Sequence, residues 1–148
     1  MLSQEMADEA VVTTFEEMAF LDVASGPTDK PSAPEEGPWL FLSYTRPKAG
    51  SFALFLPKAV KFAVAESIYG DDWKMLSSGQ LDDSLLELMN VLAGRLLTCR
   101  FGPTSQYTMG LPTVLYDPPG DLEGFTRRNF PFHVDENEFI LVWYEVAV

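Results

Sequence analysis

The segment LDDSLLELMNVLAGRLLT, residues 81–98, has a strong helical periodicity and indicates a long amphipathic helix. At about 100° per residue, its large apolar side chains gather on one side of the cylinder. We expect that side to be buried against the rest of the protein. The residues that define it are Leu85, Leu88, Leu92, Leu96 and, just beyond the segment, Cys99.

A polar stripe runs along the opposite side of the same helix. Asp83, Glu87, Asn90 and Gly94 follow one another at spacings of i, i+4, i+7 and i+11, so they face outward together. An ordinary solvated face is rich in Lys, Glu, Gln or Arg, whereas this stripe has no cation. A mid-helix glycine costs about 1 kcal/mol relative to alanine. We therefore expect Gly94 to be kept for close approach by another surface.

Asp83 also permits a simpler interpretation. An acidic residue near a helix start, here Asp82 or Asp83, complements the free backbone N–H groups and the helix dipole. A Glu-x-x-Asn pair by itself is a weak motif that arises often by chance. The stripe alone therefore leaves open whether the surface is functional or accidental.

The rest of the chain predicts an α+β protein, in which a mixed or antiparallel sheet packs against two long helices. A helix followed by strands occurs twice, which hints at two similar halves, although no residue-level repeat is visible. The residues from Ser25 to Pro38 contain four prolines and predict an exposed loop. The expected helices are Met6–Asp22, Pro57–Gly70 and Leu81–Thr98, and the expected strands are Trp39–Thr45, Ser51–Leu56, Ser105–Met109, Pro112–Tyr116, Phe130–Val134 and Glu138–Val146.

Composition narrows the class of protein. The 148 residues are 47% hydrophobic, enough for a core, and we expect them to form a single domain spanning 1–148. The net charge of −12 would repel nucleic acids and anionic membranes, so we expect neither as a partner. One cysteine and one histidine cannot build a Cys/His metal cluster. The N-terminus lacks the features of a signal peptide, which predicts a cytoplasmic protein.

The helix 81–98 with its surroundings resembles the CheC/CheX family of chemotaxis phosphatases. The resemblance rests on Asp83-x-x-x-Glu87-x-x-Asn90, on the following Ala93-Gly94, and on Pro112 at close to the spacing of that family's proline. The order of the other expected elements matches as well, so the resemblance covers most of the chain. The first helix has no Glu-x-x-Asn of its own, and we therefore expect one site per chain, the pattern of CheX-like members.

The resemblance implies a function. It implies that Asn90 orients the water that attacks an aspartyl-phosphate on a CheY-type response regulator, while Glu87 anchors the regulator. It assigns Asp83, Glu87 and Gly94 to partner binding. It also implies that this chain binds no cofactor, because Mg²⁺ is expected on the receiver domain of the partner.

Two further expectations come from the same resemblance. A non-catalytic binding module related to flagellar switch proteins, docking a receiver or a motor component through the same surface, is the alternative function. The resemblance also implies a homodimer formed through sheet edges. The final strand, Phe139–Tyr144, is apolar enough to require cover on both of its faces.

Overall fold

The computed structural model describes residues 3–28 and 37–147. Three α-helices lie in these ranges: α1, Gln4–Ala19; α2, Lys58–Tyr69; and α3, Ser78–Phe101. A short 3-10 helix, Gly70–Met75, joins α2 to the segment before α3. Within the described ranges, no helix is both long enough and apolar enough to span a membrane.

Helix α3 begins three residues earlier than its apolar periodicity predicts. Ser77 caps it, since the Ser77 hydroxyl accepts a hydrogen bond from the Gln80 N–H at 3.2 Å. The Gln80 side chain accepts in return from the Ser77 N–H at 2.9 Å, which completes a capping box. The prediction that Asp82 or Asp83 serves the helix start is therefore wrong, because both lie beyond the first turn.

The strands form one antiparallel sheet of seven strands. Every pair of neighbouring strands runs antiparallel, which decides between the mixed and antiparallel alternatives. The order across the sheet is β1-β6-β7-β3-β2-β4, with β5 also pairing with β2. The strands are β1, Ala24–Ser25; β2, Trp39–Arg46; β3, Gly50–Phe55; β4, Thr108–Met109; β5, Thr113–Leu115; β6, Phe125–Val134; and β7, Asn137–Val146.

The strand order has an internal twofold pattern. Exchanging β1 with β4, β2 with β6, and β3 with β7 reproduces the same order read from the other edge. Each half thus supplies a helix, two long strands and a short edge strand, as the repeated helix–strand order predicts. The short strands are crossed over: β1 pairs with β6 of the other half, and β4 and β5 pair with β2 of the other half.

The helices cover one face of the sheet, where the main core lies. This core joins the buried sides of α1, α2 and α3 to alternate strand residues such as Leu42, Phe52 and Leu141. The opposite face carries a smaller cluster around Trp39, Val142 and Tyr144. The Tyr144 hydroxyl donates to the Gly120 carbonyl at 2.9 Å, so the loop before β6 lies against this second face.

β7 has apolar cover on both faces, as its composition predicts. It is a central strand between β6 and β3, and its residues 141–144 are buried by the chain's own helices and loop. Its apolar character therefore has an explanation within the fold and gives no support to a dimer. The homodimer through sheet edges stays a prediction.

Several predicted boundaries need correction: β6 begins at Phe125 rather than Phe130, and β4 begins at Thr108 rather than Ser105. α1 ends at Ala19 rather than Asp22, because Phe20 adopts a left-handed conformation with φ 55°. The predicted loop Ser25–Pro38 begins within a strand, since Ser25 pairs with Phe132 as part of β1. Residues 29–36 of that loop lie outside the described residues.

Candidate functional site

Helix α3 carries the polar stripe on its outer side. Asp83, Glu87 and Asn90 are exposed, as their spacing predicts. The neighbouring Leu88 and Met89 are fully buried and hold the helix to the core. Side chains three or four residues apart on a helix have Cβ atoms about 5–6 Å from each other. The structure therefore brings Glu87 next to both Asp83 and Asn90.

These three side chains have no hydrogen bond or ion pair to any other described residue. The adjacent Asp82 differs, since Lys61 lies 3.5 Å from one of its oxygens and the Tyr116 hydroxyl donates to the other at 3.3 Å. Asp82 thus serves to attach α3 to α2 and to the loop after β5. Asp83, Glu87 and Asn90 keep their full capacity for hydrogen bonding to an external group.

A depression of about 500 Å³ lies beside the acidic end of the stripe. Asp83 and Glu87 line one wall together with other residues of α3, while the end of α1 and the last turn of α2 supply an apolar wall. The Tyr69 hydroxyl and the Ser84 hydroxyl are hydrogen-bonded across the depression, which connects α2 to α3. The lining residues are Met18, Ile68, Tyr69, Leu76, Gln80, Asp83, Ser84 and Glu87.

Gly94 lies farther along α3, in a separate groove between α1 and α3 that also contains Glu9, Arg95 and Cys99. A Cβ added to Gly94 would meet no atom within 4 Å, so packing inside the chain does not require glycine there. Arg95 reaches across the helix pair to Glu17, with which it forms an ion pair, and donates to the Thr14 hydroxyl at 3.3 Å. Burial raises the pKa of the Cys99 thiol, and the nearby Glu9 carboxylate raises it further.

Pro112 follows Gly110 in the connection between β4 and β5. The Gly110 N–H donates to the Ser43 carbonyl of β2 at 2.7 Å, and a Cβ at Gly110 would lie 3.3 Å from that oxygen. Gly110 and Pro112 therefore lie at an edge of the sheet, between the short strands β4 and β5 that pair with β2. Leu111, between the two, is 88% exposed.

Comparison of the sequence with family models and with curated proteins gives no match. Comparison of the structure with solved structures gives a clear result. The crystal structure of a CheX chemotaxis protein from Desulfovibrio desulfuricans superposes with a TM-score of 0.78, covering 95% of this chain and 97% of that one at 18% identity. The chain has the CheX fold. The α+β architecture predicted from the order of the elements is thereby confirmed.

The CheX fold also occurs in proteins with bound partners or different roles. A CheX–CheY–BeF₃–Mg²⁺ complex from Borrelia burgdorferi matches with a TM-score of 0.65 and 15% identity, over the full length of both chains. FliY from Thermotoga maritima matches with a TM-score of 0.59 and 17% identity, covering 96% of this chain and 84% of that one. The fold is therefore shared by CheX chemotaxis proteins and by FliY.

The two long helices of this CheX fold are equivalent position by position. Each buried residue of α1 corresponds to a buried residue of α3 that lies 78 positions later in the chain. No residue-level repeat is visible in the sequence because only burial, and not residue type, is preserved. The pairs are Ala7 and Leu85, Ala10 and Leu88, Val11 and Met89, Thr14 and Leu92, Phe15 and Ala93, and Ala19 and Leu97.

This equivalence identifies the counterpart of the stripe on α1, which the sequence reasoning missed. Glu5 and Glu9 correspond to Asp83 and Glu87, and both are exposed. Val12 corresponds to Asn90. The Glu-x-x-Asn spacing does not reveal Glu5 and Glu9, because that motif requires an asparagine and α1 has none at the equivalent position. The first helix thus retains the acidic positions of the stripe without the carboxamide.

Nothing in the described part of the chain groups three or more His, Cys, Asp or Glu side chains as ligands for a metal ion. His133 lies in β6, where its Nδ1 is 2.8 Å from the Gly26 carbonyl oxygen. That contact joins β6 to the turn after β1, and neither element belongs to the polar stripe. The chemistry available at the stripe is therefore that of two carboxylates and one carboxamide.

Proposed function

We propose that this protein is a phosphatase that hydrolyses the aspartyl-phosphate of a CheY-type receiver domain. The observation that carries the proposal is the arrangement of Glu87 and Asn90. They are exposed neighbours on a helix whose opposite side is buried in the core. Neither side chain forms a hydrogen bond or an ion pair with a described residue. The CheX fold supports the same function, because a CheX of this fold has been crystallised with CheY, BeF₃ and Mg²⁺.

Asn90 is the residue proposed to act on the water. A carboxamide offers one oxygen acceptor and two N–H donors, so it can orient a water molecule while also contacting the phosphoryl group. Hydrolysis requires that water to lie in line with the bond to the leaving carboxylate oxygen. A carboxylate at position 90 would place a second negative charge beside the phosphoryl oxygens and repel them. A neutral amide is therefore the suitable group.

Glu87 is proposed to bind a cationic side chain of the receiver. It lies within about 5–6 Å of Asn90, so a contact to Glu87 would fix the position of the amide relative to the phosphoryl group. Such positioning can contribute several kcal/mol to lowering the barrier of a phosphoryl transfer. Asp83, one turn away on the other side, would add to the negative potential that attracts the cation.

Mg²⁺ is proposed to be held by the receiver and not by this chain. When bound there, the ion neutralises charge that develops on the phosphoryl oxygens. The groups on α3 then have only to orient water and to hold the two proteins in register. We expect the chain to require no cofactor of its own.

The test is a phosphatase assay with receiver domains of the same organism, each phosphorylated and incubated with the wild-type protein or with Asn90→Ala. We expect one receiver to lose phosphate faster with the wild-type protein. Asn90→Ala should reduce that rate by about a hundredfold or more, since orienting contributions of this kind are worth roughly 3 kcal/mol.

Asn129→Ala is the matched control, because Asn129 is another exposed asparagine and lies on β6, away from α3. It should leave the rate unchanged. The proposal is wrong if no receiver is dephosphorylated faster, or if Asn90→Ala keeps the wild-type rate while binding the receiver normally.

A non-catalytic docking module is the second candidate. It is favoured by one observation, the match to FliY of Thermotoga maritima, with FliM in an H. pylori complex matching as well at a TM-score of 0.63 and 8% identity. In this function Glu87 and Asp83 would bind a receiver or motor component, and Asn90 would be a contact residue. Binding of a receiver without any acceleration of phosphate loss would support this candidate over the first.

A further inference from the structure

Three exposed apolar side chains either line the depression beside the stripe or lie within two residues of its lining in the chain. Phe20 is 74% exposed, Met75 is 85% exposed and Tyr69 is 37% exposed. Tyr69 lines the depression directly, Phe20 follows the lining residue Met18 by two positions, and Met75 immediately precedes the lining residue Leu76. We call Phe20, Tyr69 and Met75 the apolar rim.

Phe20 has no role in the fold that would explain its type. It caps α1 in the left-handed region, at φ 55° and ψ 33°, a conformation that costs a non-glycine residue about 1 kcal/mol or more. Glycine or asparagine is the usual residue at such a position. The side chain recovers little of this cost through burial, because most of it is in contact with solvent. A bulky apolar residue here is thus unfavourable for the isolated protein on both counts.

Side-chain contacts connect the elements that form the depression. The Tyr69–Ser84 hydrogen bond connects its two walls, and the Arg95–Glu17 ion pair holds the end of α1 against α3. Little conformational freedom would be lost when a partner binds to a surface that is already ordered. The apolar rim therefore presents preformed contact area.

The charged side chains that line the depression, Asp83 and Glu87, are both negative. Asp83 and Glu87 make no ion pair with any described residue, whereas Lys61 of α2 and Arg95 of α3 are paired with Asp82 and Glu17. Lys74, next to Met75 in the chain, lies over the Trp73 ring. A complementary surface must bring positive charge to the α3 wall and apolar side chains to the rim. That combination excludes a second copy of the same surface, because two such copies would place carboxylates against carboxylates.

We propose that the apolar rim is the docking surface that selects the receiver, and that it binds a segment presenting a lysine or arginine beside a bulky apolar side chain. This inference rests on the proposed function and assigns separate roles to the residues of the site. Asn90 acts on the reaction, the carboxylates bind the cation, and Phe20 and Met75 determine how tightly the receiver is held.

The experiment compares Phe20→Asn and Met75→Gln with the wild-type protein. Asparagine tolerates the left-handed conformation better than phenylalanine, so Phe20→Asn removes the apolar surface without harming the fold. Leu111→Gln is the matched control, because Leu111 is as exposed as Met75 but lies at the sheet edge. Two quantities are measured: the Kd for the Mg²⁺- and BeF₃-loaded receiver, and the kcat and KM for the phosphorylated receiver.

We expect each rim variant to raise Kd and KM by about five- to thirtyfold, with kcat nearly unchanged, as is usual for apolar contacts at an interface centre. Leu111→Gln should change neither quantity. Asn90→Ala should show the opposite pattern, a fall in kcat with KM preserved.

The two proposals fail in different ways. If the rim variants keep the wild-type KM and Kd while Asn90→Ala loses turnover, the docking inference is wrong and the phosphatase proposal stands. If the loaded receiver binds in a rim-dependent manner but no phosphorylated receiver is turned over, the docking inference stands and the phosphatase proposal is wrong. If no receiver binds at all, both are wrong.

Discussion

Glu17 of α1 and Arg95 of α3 occupy equivalent positions of the two halves, and they form an ion pair with each other across the helix interface. The two helices are antiparallel, since the end of α1 lies beside the start of α3 and Glu9 lies beside Thr98 and Cys99. Equivalent residues of two antiparallel helices meet only near the pseudo-twofold axis that relates the helices. Arg95 also donates to Thr14, so the contact is a small network rather than a single surface pair. The same axis relates Asn90 to Val12. The two halves therefore differ at this position by an asparagine and a valine, and a substitution can test the effect of that difference.

The first prediction concerns that difference. Introducing Val12→Asn into an Asn90→Ala protein should restore a fraction of the phosphatase activity. The new amide would stand one turn after Glu9, as Asn90 stands one turn after Glu87. Because Val12 packs partly against the core, the change should also cost about 1 kcal/mol of unfolding free energy. Turnover of a phosphorylated receiver by the double variant is the measurement.

The matched control for this restoration is Val12→Gln in the same background, whose longer side chain would misplace the amide and should stay inactive. If the Val12→Asn double variant is as inactive as Asn90→Ala alone, then α1 lacks some feature of the α3 site besides the carboxamide.

The second prediction concerns Gly94. Gly94→Ala should raise the free energy of unfolding by up to about 1 kcal/mol, since a Cβ there meets no neighbour and glycine is unfavourable inside a helix. Gly94→Gln should be similarly stable but should weaken receiver binding by about tenfold or more, because its side chain would occupy the space proposed for the partner. Urea denaturation and receiver binding measure the two effects.

Glu16→Gln is the control for Gly94→Gln, because Glu16 is the equivalent residue of α1 and already has a long side chain. Unchanged receiver binding by Gly94→Gln would show that the partner does not approach Gly94 and would remove that residue from the proposed site.

The third prediction concerns Gly50 in β3. A Cβ there would lie 2.1 Å from the Tyr44 hydroxyl oxygen and 2.7 Å from the Tyr144 carbonyl oxygen. The Tyr44 hydroxyl is held in place because it accepts a hydrogen bond from the Trp143 indole N–H at 2.8 Å. We expect Gly50→Ala to destabilise the protein by about 3 kcal/mol, as overpacking of a core does. Gly120→Ala is the control, because a Cβ at Gly120 meets nothing within 4 Å.

The fourth prediction concerns alkaline pH. Burial raises the pKa of Tyr44 to about 12, an effect that outweighs the opposing hydrogen bond from Trp143. The unfolded chain loses the Tyr44 proton near its ordinary pKa of about 10, whereas the folded chain keeps it. Stability should therefore be full below pH 10 and should fall as the pH rises toward 12, by about 2–3 kcal/mol from this residue.

Urea denaturation at pH 9 and pH 11 measures the fall. Burial raises the pKa of Tyr144 as well, so part of the loss should remain in Tyr44→Phe. A Tyr44→Phe protein whose stability falls as steeply as that of the wild type between these pH values would contradict the assignment.

Much of the fold follows from periodicity in the sequence. The leucines of α3 recur at helical spacing, and β7 is apolar from Phe139 to Tyr144, where it is covered on both faces. Ser77 was missed as the helix start because apolar periodicity begins only at Leu81, although the Ser77 and Gln80 pair was visible as a capping signal. The two-residue strand β1 has no local signal, since Ala24 and Ser25 are strand residues only because β6 pairs with them.

The candidate site also has features that the sequence predicts and features that depend on tertiary packing. The outward direction of Asp83, Glu87 and Asn90 follows from their spacing along one helix, and the structure agrees. The depression beside them depends on where the end of α2 lies relative to α3, which is a matter of tertiary packing. The equivalence of Val12 and Asn90 also required burial to be known, because the two helices share a pattern of covered positions and no common residues.

The short edge strands β1, β4 and β5, each paired with a strand of the other half, have a consequence for how the protein folds. Each half closes its side of the sheet with a strand borrowed from the other, which makes the chain resemble a domain-swapped dimer joined into one polypeptide. We therefore expect the half that carries Asn90 not to fold without the half that carries Val12, because their strands pair across the halves. The half without the asparagine should thus be required as a scaffold, and either half expressed alone should be unfolded until its complement is added.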